Sequence, residues 1–352
     1  MISLRSSALA IAASLACAAG AATAKPAFND LSVLMKGPEV PVNVENFVRA
    51  ATEIEMEGYL ALSGGVNRLF HVRELTPIAQ QPTIRMNRDT IYSMAVVDVS
   101  EGATLTVPEP GARYVTAHVV NQDHFTNAVF YGGGTFTLDQ ETFDTPYVAV
   151  LFRILVDESD PEDMAAAHAL QDGITLEAAS ARPFAAPPYD RESFESVLSA
   201  ALALARWAPD GARTFGPREA VDPVRHFLGT AFGWGGLPEE DAVYLNVEPG
   251  LPVGAYRIDV PAEVPVQAFW SVSVYNADGF FDANDRNAYN INSITGERDA
   301  EGGVTVHLGG CEDDRPNCLP LGEGWNYVVR LYRPSQAIID GDWTFPEAVP
   351  AD

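Results

Sequence analysis

Two stretches, Ala268–Tyr275 (AFWSVSVY) and Trp325–Arg333 (WNYVVRLYR), decide how the C-terminal part of this chain reads. Taken in steps of two, each has an apolar side and a polar side. Ala268, Trp270, Val272 and Val274 fall on one face, with Ser271, Ser273 and Tyr275 on the other. In the second stretch Asn326, Arg330 and Tyr332 share a side, opposite Tyr327, Val329 and Leu331. That period predicts paired antiparallel strands with one buried face. The polar face is then either plain solvent surface or the lining of a groove.

The first residues predict a removable leader. Arg5, the small-residue apolar run Ala8–Ala19 and the tripeptide Ala22-Thr23-Ala24 before Lys25 form the pattern of a secretory signal peptide, cleaved after Ala24. The run is too short and too weakly apolar to span a bilayer. Cys17 is preceded by Ser14-Leu15-Ala16, a poor lipid-attachment signal, and leaves with the leader. A periplasmic or secreted protein is expected, with no membrane insertion once residues 1–24 are gone. Removing 24 of 352 residues leaves 328, enough for two domains and a helical insert around real cores. Cys311 and Cys318 share a Gly/Asp/Pro-rich loop, and in an oxidising compartment a local disulfide is expected. A zinc pair is the alternative, although no His or second Cys pair lies nearby.

The formal charge of −26 becomes −27 without Arg5. Phosphate contacts need a basic footprint, so nucleic acid and anionic membrane surfaces are poor partners for this chain. Solubility alone accounts for the acidity. Lys25 and Lys36 are the only lysines, which excludes Schiff bases, Ser–Lys dyads and phosphate-loop lysines.

Along the chain, 25–79 reads as an N-terminal helix and connection. The helix, 43–62, is capped by Asn43, and Val44, Phe47, Val48, Ala51, Ile54 and Glu55 mark its 3.6 period. Strand patterns at Thr90–Val99, Arg113–Val120, Thr135–Leu138 and Tyr147–Leu155 predict a small β-domain over 80–157. Residues 158–235 read as a helical domain with helices at Pro161–Leu170, Arg191–Trp207 and Arg218–Phe232. Strands return over 236–352.

Chemistry-bearing motifs are sparse. Asn87-Arg88-Asp89-Thr90-Ile91-Tyr92-Ser93 is the densest polar cluster of the first β-domain, and Asx and ST turns explain it without function. In a functional reading Arg85, Asn87, Asp89 and Tyr92 converge on a pocket rim with His118. The six histidines lack metal-ligand spacing, no G-x-S-x-G elbow occurs, and neither a phosphate loop nor a dinucleotide fingerprint is present, so no cofactor or metal is implied. Adjacent Asp123 and His124 meet only in a loop. Gly233-Trp-Gly-Gly reads as a helix stop. The Asx-rich loop Asn276–Asn292 has the oxygen density for calcium but not EF-hand spacing, because Arg286 takes a ligand position; turn chemistry is the competing account. Tyr275, Phe280, Phe281 and Tyr289 flank it, suiting a sugar face or a packed loop.

Two sets of motifs resemble known families. Asn67 through His71-Val-Arg73, followed by Asn87-x-Asp89-Thr90-x-Tyr92-Ser93, resembles the bacterial domain of unknown function numbered 1254. Phe269–Tyr275 with Asp278-Gly-Phe, Trp325-Asn326 with Arg330-Leu-Tyr-Arg-Pro334, and Asp340-Gly-x-Trp343 resemble its usual companion, numbered 1214. The resemblance implies a mainly β, multidomain α+β chain: an immunoglobulin-like β-sandwich, a helical middle domain and a C-terminal jelly-roll-like antiparallel sandwich. It also implies export, and supplies no catalytic residues. The Cys311–Cys318 loop departs from the pattern.

Two functions of different class follow. The first is binding of a small polar molecule, a carbohydrate or carboxylate, in a groove of the C-terminal sandwich lined by Ser271, Tyr275, Arg330 and Tyr332, with Arg330 as anchor and Arg85 and Asn87 as further ligand contacts. The second is a metal-independent hydrolase or lyase with its site between the sandwiches. There Asp89 or His118 is the base, Tyr92 the acid, and Arg85 or Arg330 neutralises developing charge. A scaffold without ligand is a third reading, and the oligomeric state is open.

Overall fold

A computed structural model describes residues 39–81, 84–208 and 211–351 of the chain. The expected leader over 1–24, Cys17, Lys25 and Lys36 lie outside the described residues. The fold is mixed α/β with mainly antiparallel sheets and no closed barrel.

Among the described residues the helices are α1 (Phe47–Ser63), α2 (Gln140–Phe143), α3 (Pro161–Gly173), α4 (Arg191–Ala205), α5 (Pro223–Gly233) and α6 (Gln336–Ile339). The N-terminal strands are β1 (Phe70–Val72), β2 (Thr90–Asp98), β3 (Ala103–Val107), β4 (Val115–Asn121), β5 (Thr126–Tyr131), β6 (Gly134–Leu138), β7 (Tyr147–Leu155) and β8 (Thr175–Ala178). The C-terminal ones are β9 (Ala242–Val247), β10 (Tyr256–Val260), β11 (Trp270–Tyr275), β12 (Asn290–Asn292), β13 (Val304–Leu308), β14 (Cys318–Leu319), β15 (Asn326–Tyr332) and β16 (Val349–Pro350).

Four sheets result. A five-stranded sheet runs β1-β2-β7-β4-β5, and a three-stranded one runs β6-β3-β8. Ile91, Val97, Val119, Val150 and Phe152 of the larger sheet form one core with Leu105, Val107 and Leu138 of the smaller. The opposite face of the larger sheet carries Met94, Val96, Val120, Ala149 and Leu151, which bury Met56 and Tyr59 of α1. In the C-terminal half, β12-β11-β15-β9 faces β14-β13-β10-β16. Trp270, Val272, Val329 and Leu331 pack there against Ile258, Val260, Val306 and Leu308. The alternation in the two quoted stretches thus faces its apolar side to this core. Each such side chain contributes roughly 1.5–3 kcal/mol by leaving water.

Local chemistry moves several boundaries. The first helix starts at Phe47 rather than 43, because the Asn43 carboxamide accepts the Glu45 N–H and folds 43–46 into a turn. It ends at Gly64, whose φ of 77° lets its N–H close on the Leu60 carbonyl. The third helix of the middle region starts at Pro223, not Arg218: Asp222 caps it by accepting from Val224 and Arg225 N–H. That region is not purely helical, since β8 pairs with β3; likewise β1 precedes residue 80 and joins the larger sheet. Cys311 and Cys318 form a disulfide. No described helix is long and apolar enough to cross a membrane.

Candidate functional site

The polar face of β11 and β15 lines no open groove. Ser271, Tyr275, Arg330 and Tyr332 are all buried, covered by the 84–92 segment that leads into β2. Alternation shows which side chains share a face, not what lies over it. Arg330 spends its guanidinium on pinning that cover: Nη1 donates to Ser273 Oγ (2.9 Å), and Nη2 to Tyr275 OH (2.8 Å), Arg85 O (2.8 Å) and Met86 O (3.2 Å). Tyr275 OH also donates to Met86 O at 2.6 Å. Arg330 therefore holds chain, not ligand.

Asp89 is fully buried on the other side of the seam. Its oxygens accept from Ser271 Oγ (2.7 Å), Asn290 Nδ2 (2.7 Å) and Asn292 Nδ2 (3.1 Å). Three neutral donors offset the cost of desolvating a carboxylate. With those oxygens committed, Asp89 is a clamp rather than the base expected of it. Asn290 and Asn292 of the 276–292 loop serve this seam, and Asn276 and Asn284 close turns of the loop itself, as where Asn276 Nδ2 donates to Asp282 Oδ1 at 2.6 Å. Arg85 stands at the rim, reaching Asn246 (3.2 Å) and Glu248 (2.6 Å). Asn87 Nδ2 lies within hydrogen-bonding distance of Tyr92 OH (3.3 Å) and Tyr332 OH (3.2 Å).

Tyr92 leads to a second group of residues. On the α1 side of the larger sheet, Tyr92, Arg153, Thr116 and Tyr131 are cross-strand neighbours in one row. Arg153 is the only charge in the apolar run YVAVLFRIL of β7. Its Nη2 donates to Gly235 O (2.7 Å), its Nη1 to His118 Nδ1 (3.4 Å), and its guanidinium lies 6.0 Å from the Tyr92 ring. Among the described residues no carboxylate pairs with it. Two bonds leave three of the roughly five N–H donors of a guanidinium uncommitted. Around it stand Tyr114, Tyr244 and Tyr332, each within electrostatic reach. Tyr114 OH and Thr116 Oγ1 are sealed from solvent and face each other.

His118 is fully buried, and burial first, then Arg153 and His124, hold it well below the usual histidine range. Accepting from Arg153 at Nδ1 places its proton on Nε2, which faces Thr126 Oγ1 at 2.8 Å. A neutral ring in that tautomer orients Arg153 and takes no proton from a ligand, contrary to its expected role as base.

Burial raises two carboxyls. Glu55 projects from α1 and keeps 7 % of its surface exposed, yet among the described residues its carboxyl bonds to nothing. Burial pushes it up to about 7. One turn on, Tyr59 is pushed well above its ordinary value by burial, then by Glu55; Arg153 and Tyr92 also act on it. Its ring packs edge-on against Trp234 at 5.8 Å, whose Nε1 donates to Thr52 Oγ1 (3.1 Å). The Gly233-Trp-Gly-Gly turn is therefore more than a helix stop. Gly235, at φ 74°, aims its carbonyl at Arg153 and its N–H at His124 Nε2 (2.9 Å). On the far side, Tyr131 OH donates to Asp241, whose carboxyl burial raises to about 6.

Sequence reasoning gathered the seam residues and Tyr92 but missed Arg153, Glu55, Tyr59, Tyr114, Asp241 and Tyr244. Two signals pointed to the charges: an arginine inside an apolar strand and a glutamate inside an apolar helical stripe.

Residues 66–142 match the family model described as Protein of unknown function (DUF1254), and residues 251–336 match Protein of unknown function (DUF1214). The chain carries both modules. The seam joins them, and Arg153, Gly235, Tyr244 and Glu55 lie outside both matched spans. A solved structure of the VPA0106 protein from Vibrio parahaemolyticus is similar with a TM-score of 0.66 at 20% identity, over 88% of this chain and 98% of that one. A putative uncharacterized protein from Burkholderia cenocepacia is similar with a TM-score of 0.50 at 15% identity, over 87% and 86%. At such identity the likeness concerns fold alone. Among curated proteins none matches.

Proposed function

We propose that this is an exported protein that binds a small carboxylate at Arg153, between the DUF1254 and DUF1214 modules. The two pairs of facing sheets are read as an immunoglobulin-like and a jelly-roll-like sandwich, with the site where they meet. One observation carries the proposal: a buried guanidinium with uncommitted donors and no carboxylate partner among the described residues. A buried charge without a counter-charge is costly, and an anion seated on it supplies both the charge and the missing acceptors. The hydroxyls of Tyr92, Tyr114, Tyr244 and Tyr332 supply further polar contacts. The leader pattern supports export, which N-terminal sequencing of periplasmic protein tests by the expected start at Lys25.

The ligand test is a thermal-shift and calorimetric screen of C2–C5 carboxylates against wild type and Arg153→Gln. A carboxylate at 100 times its Kd stabilises the native state by about 2.7 kcal/mol. A shift in wild type that Arg153→Gln abolishes is expected. No shift with any acid, or equal shifts in both proteins, refutes the proposal.

A further inference from the structure

A second concavity runs along α3 and shares no residue with the surroundings of Arg153. The segment 108–113, between β3 and β4, is fastened to α3 at both of its ends. At one end Pro108 packs so closely on Gly173 that a Cβ there would come within 2.6 Å of the proline Cγ. At the other, Arg113 donates to both carboxylate oxygens of Asp163 (2.5 and 2.9 Å) and to the carbonyls of Asp163 (3.2 Å) and Leu155 (2.6 Å). Gly173 lies ten positions after Asp163, so the two fastenings stand about 15 Å apart along the helix. Between them lies a trough of about 750 Å³, within the roughly 300–1,000 Å³ of small-molecule sites. Ala166, Ala169 and Leu170 give it an aliphatic bed, and Ile294 of the C-terminal module reaches in, half exposed.

The charge of the trough has one sign. Arg113 is the only cation lining it among the described residues, and its four bonds occupy most of the roughly five N–H donors of a guanidinium. Arg113 and Asp163 cancel as a pair. That leaves Asp157 and Asp160 at the start of α3, and Glu109 beside the Pro108–Gly173 contact at its end. Carboxylates therefore stand at both ends of an aliphatic bed. An anion would be repelled, and a compact metal ion would meet one end only. A chain of methylenes with a cation at each end matches the whole length. We propose that this trough binds a linear aliphatic polyamine, with its terminal ammonium groups paired to Asp157 and Asp160 at one end and to Glu109 at the other. Each rim ion pair is weak by itself, and affinity comes from one molecule engaging both ends at once. The small side chains of Ala166 and Ala169 leave room for its methylenes. The site is separate from Arg153, so either proposal can fail without the other.

The experiment is calorimetry with putrescine, spermidine and spermine at about 0.15 M salt, where distant surface charges are screened, with butylamine and Mg2+ as controls. Spermine is expected to bind at least ~10-fold tighter than butylamine or Mg2+, because linking two contacts multiplies their strength. Putrescine, too short for a span of about 15 Å, should bind more weakly than spermine. Glu109→Gln removes one end and should weaken spermine by about fivefold, the upper range for an exposed ion pair. Ala169→Phe, at an exposed position of α3, fills the trough and should abolish binding with its urea midpoint unchanged; if that midpoint falls, the exposed Glu109→Gln decides the matter. No binding of any polyamine overturns the proposal. So does binding that Mg2+ equals, which would mean attraction to net charge alone, and so does unchanged spermine affinity in either folded variant.

Discussion

Replacing Glu55 by glutamine should stabilise the protein, and by an amount that depends on pH. The structure sets the magnitude: burial raises the Glu55 carboxyl from an ordinary 4.5 to about 7. At about 1.36 kcal/mol per pH unit that difference corresponds to about 3 kcal/mol. The sign follows from proton binding. Between the two values the folded chain holds a proton that the unfolded chain has released, so stability falls as pH rises. The neutral form carries no penalty below about 4.5, and the full penalty is present above about 7. Glutamine is neutral throughout. Urea denaturation followed by tryptophan fluorescence at pH 4.5, 6 and 8 should show Glu55→Gln near wild type at the lowest pH and more stable by about 3 kcal/mol at the highest. Asp241, raised to about 6, titrates in both proteins and cancels from the difference. A gap between the two proteins that stays constant over this range would mean that Glu55 is not buried as a charge.

Two further outcomes test the seam and the turn. Asp89→Ala strands the side-chain donors of Ser271, Asn290 and Asn292 in a buried interface; at 1–3 kcal/mol for each unsatisfied group it should cost about 3 kcal/mol or more, and a double-mutant cycle with Asn292→Ala should give about 1 kcal/mol of coupling. Additive losses would place the two residues in separate networks. Gly235→Ala forces a side chain into φ 74°, with its Cβ 3.5 Å from Leu151 Cδ2, so it should cost about 1 kcal/mol and weaken carboxylate binding together, because the same carbonyl holds Arg153. A loss of stability with unchanged binding would separate the turn from the site.

The sheet faces were legible because alternation is a local property: Trp270 and Val272 point into a core, Ser271 and Arg330 away from it, whatever else the chain does. The helix start at Pro161 was legible in the same way, through the Asp160 cap beside it, whereas the Asp222 cap went unread and the last helix of the middle region was placed five residues too far upstream, at Arg218. What covers a polar face was not legible. Arg330 and Asp89 lie 241 positions apart in the numbering, and nothing in either neighbourhood announces that the 84–92 segment lies across β11 and β15. The buried charges failed for a related reason. Arg153 and Glu55 each break an apolar pattern, and read singly such a break looks like tolerance at a surface; only the packing shows that both are buried.

That packing also explains why the chemistry belongs to the arrangement of modules rather than to either one. Arg330 and Asp89 spend their charge fastening the 84–92 segment to the C-terminal sheet, and this fixes Asn87 between the Tyr92 and Tyr332 hydroxyls. Those tyrosines come from different modules and both stand beside Arg153. The arginine itself is held by a carbonyl of the Trp234-Gly235 turn, which α5 delivers and which packs on Tyr59 of α1. Loosening the seam should therefore reach Arg153 without touching it. In Asp89→Ala the fall in carboxylate affinity should exceed anything a loss of stability explains, and adding Arg153→Gln should produce no further fall. Independent, additive losses in affinity would show that the seam only holds the modules together and that the site is built without it.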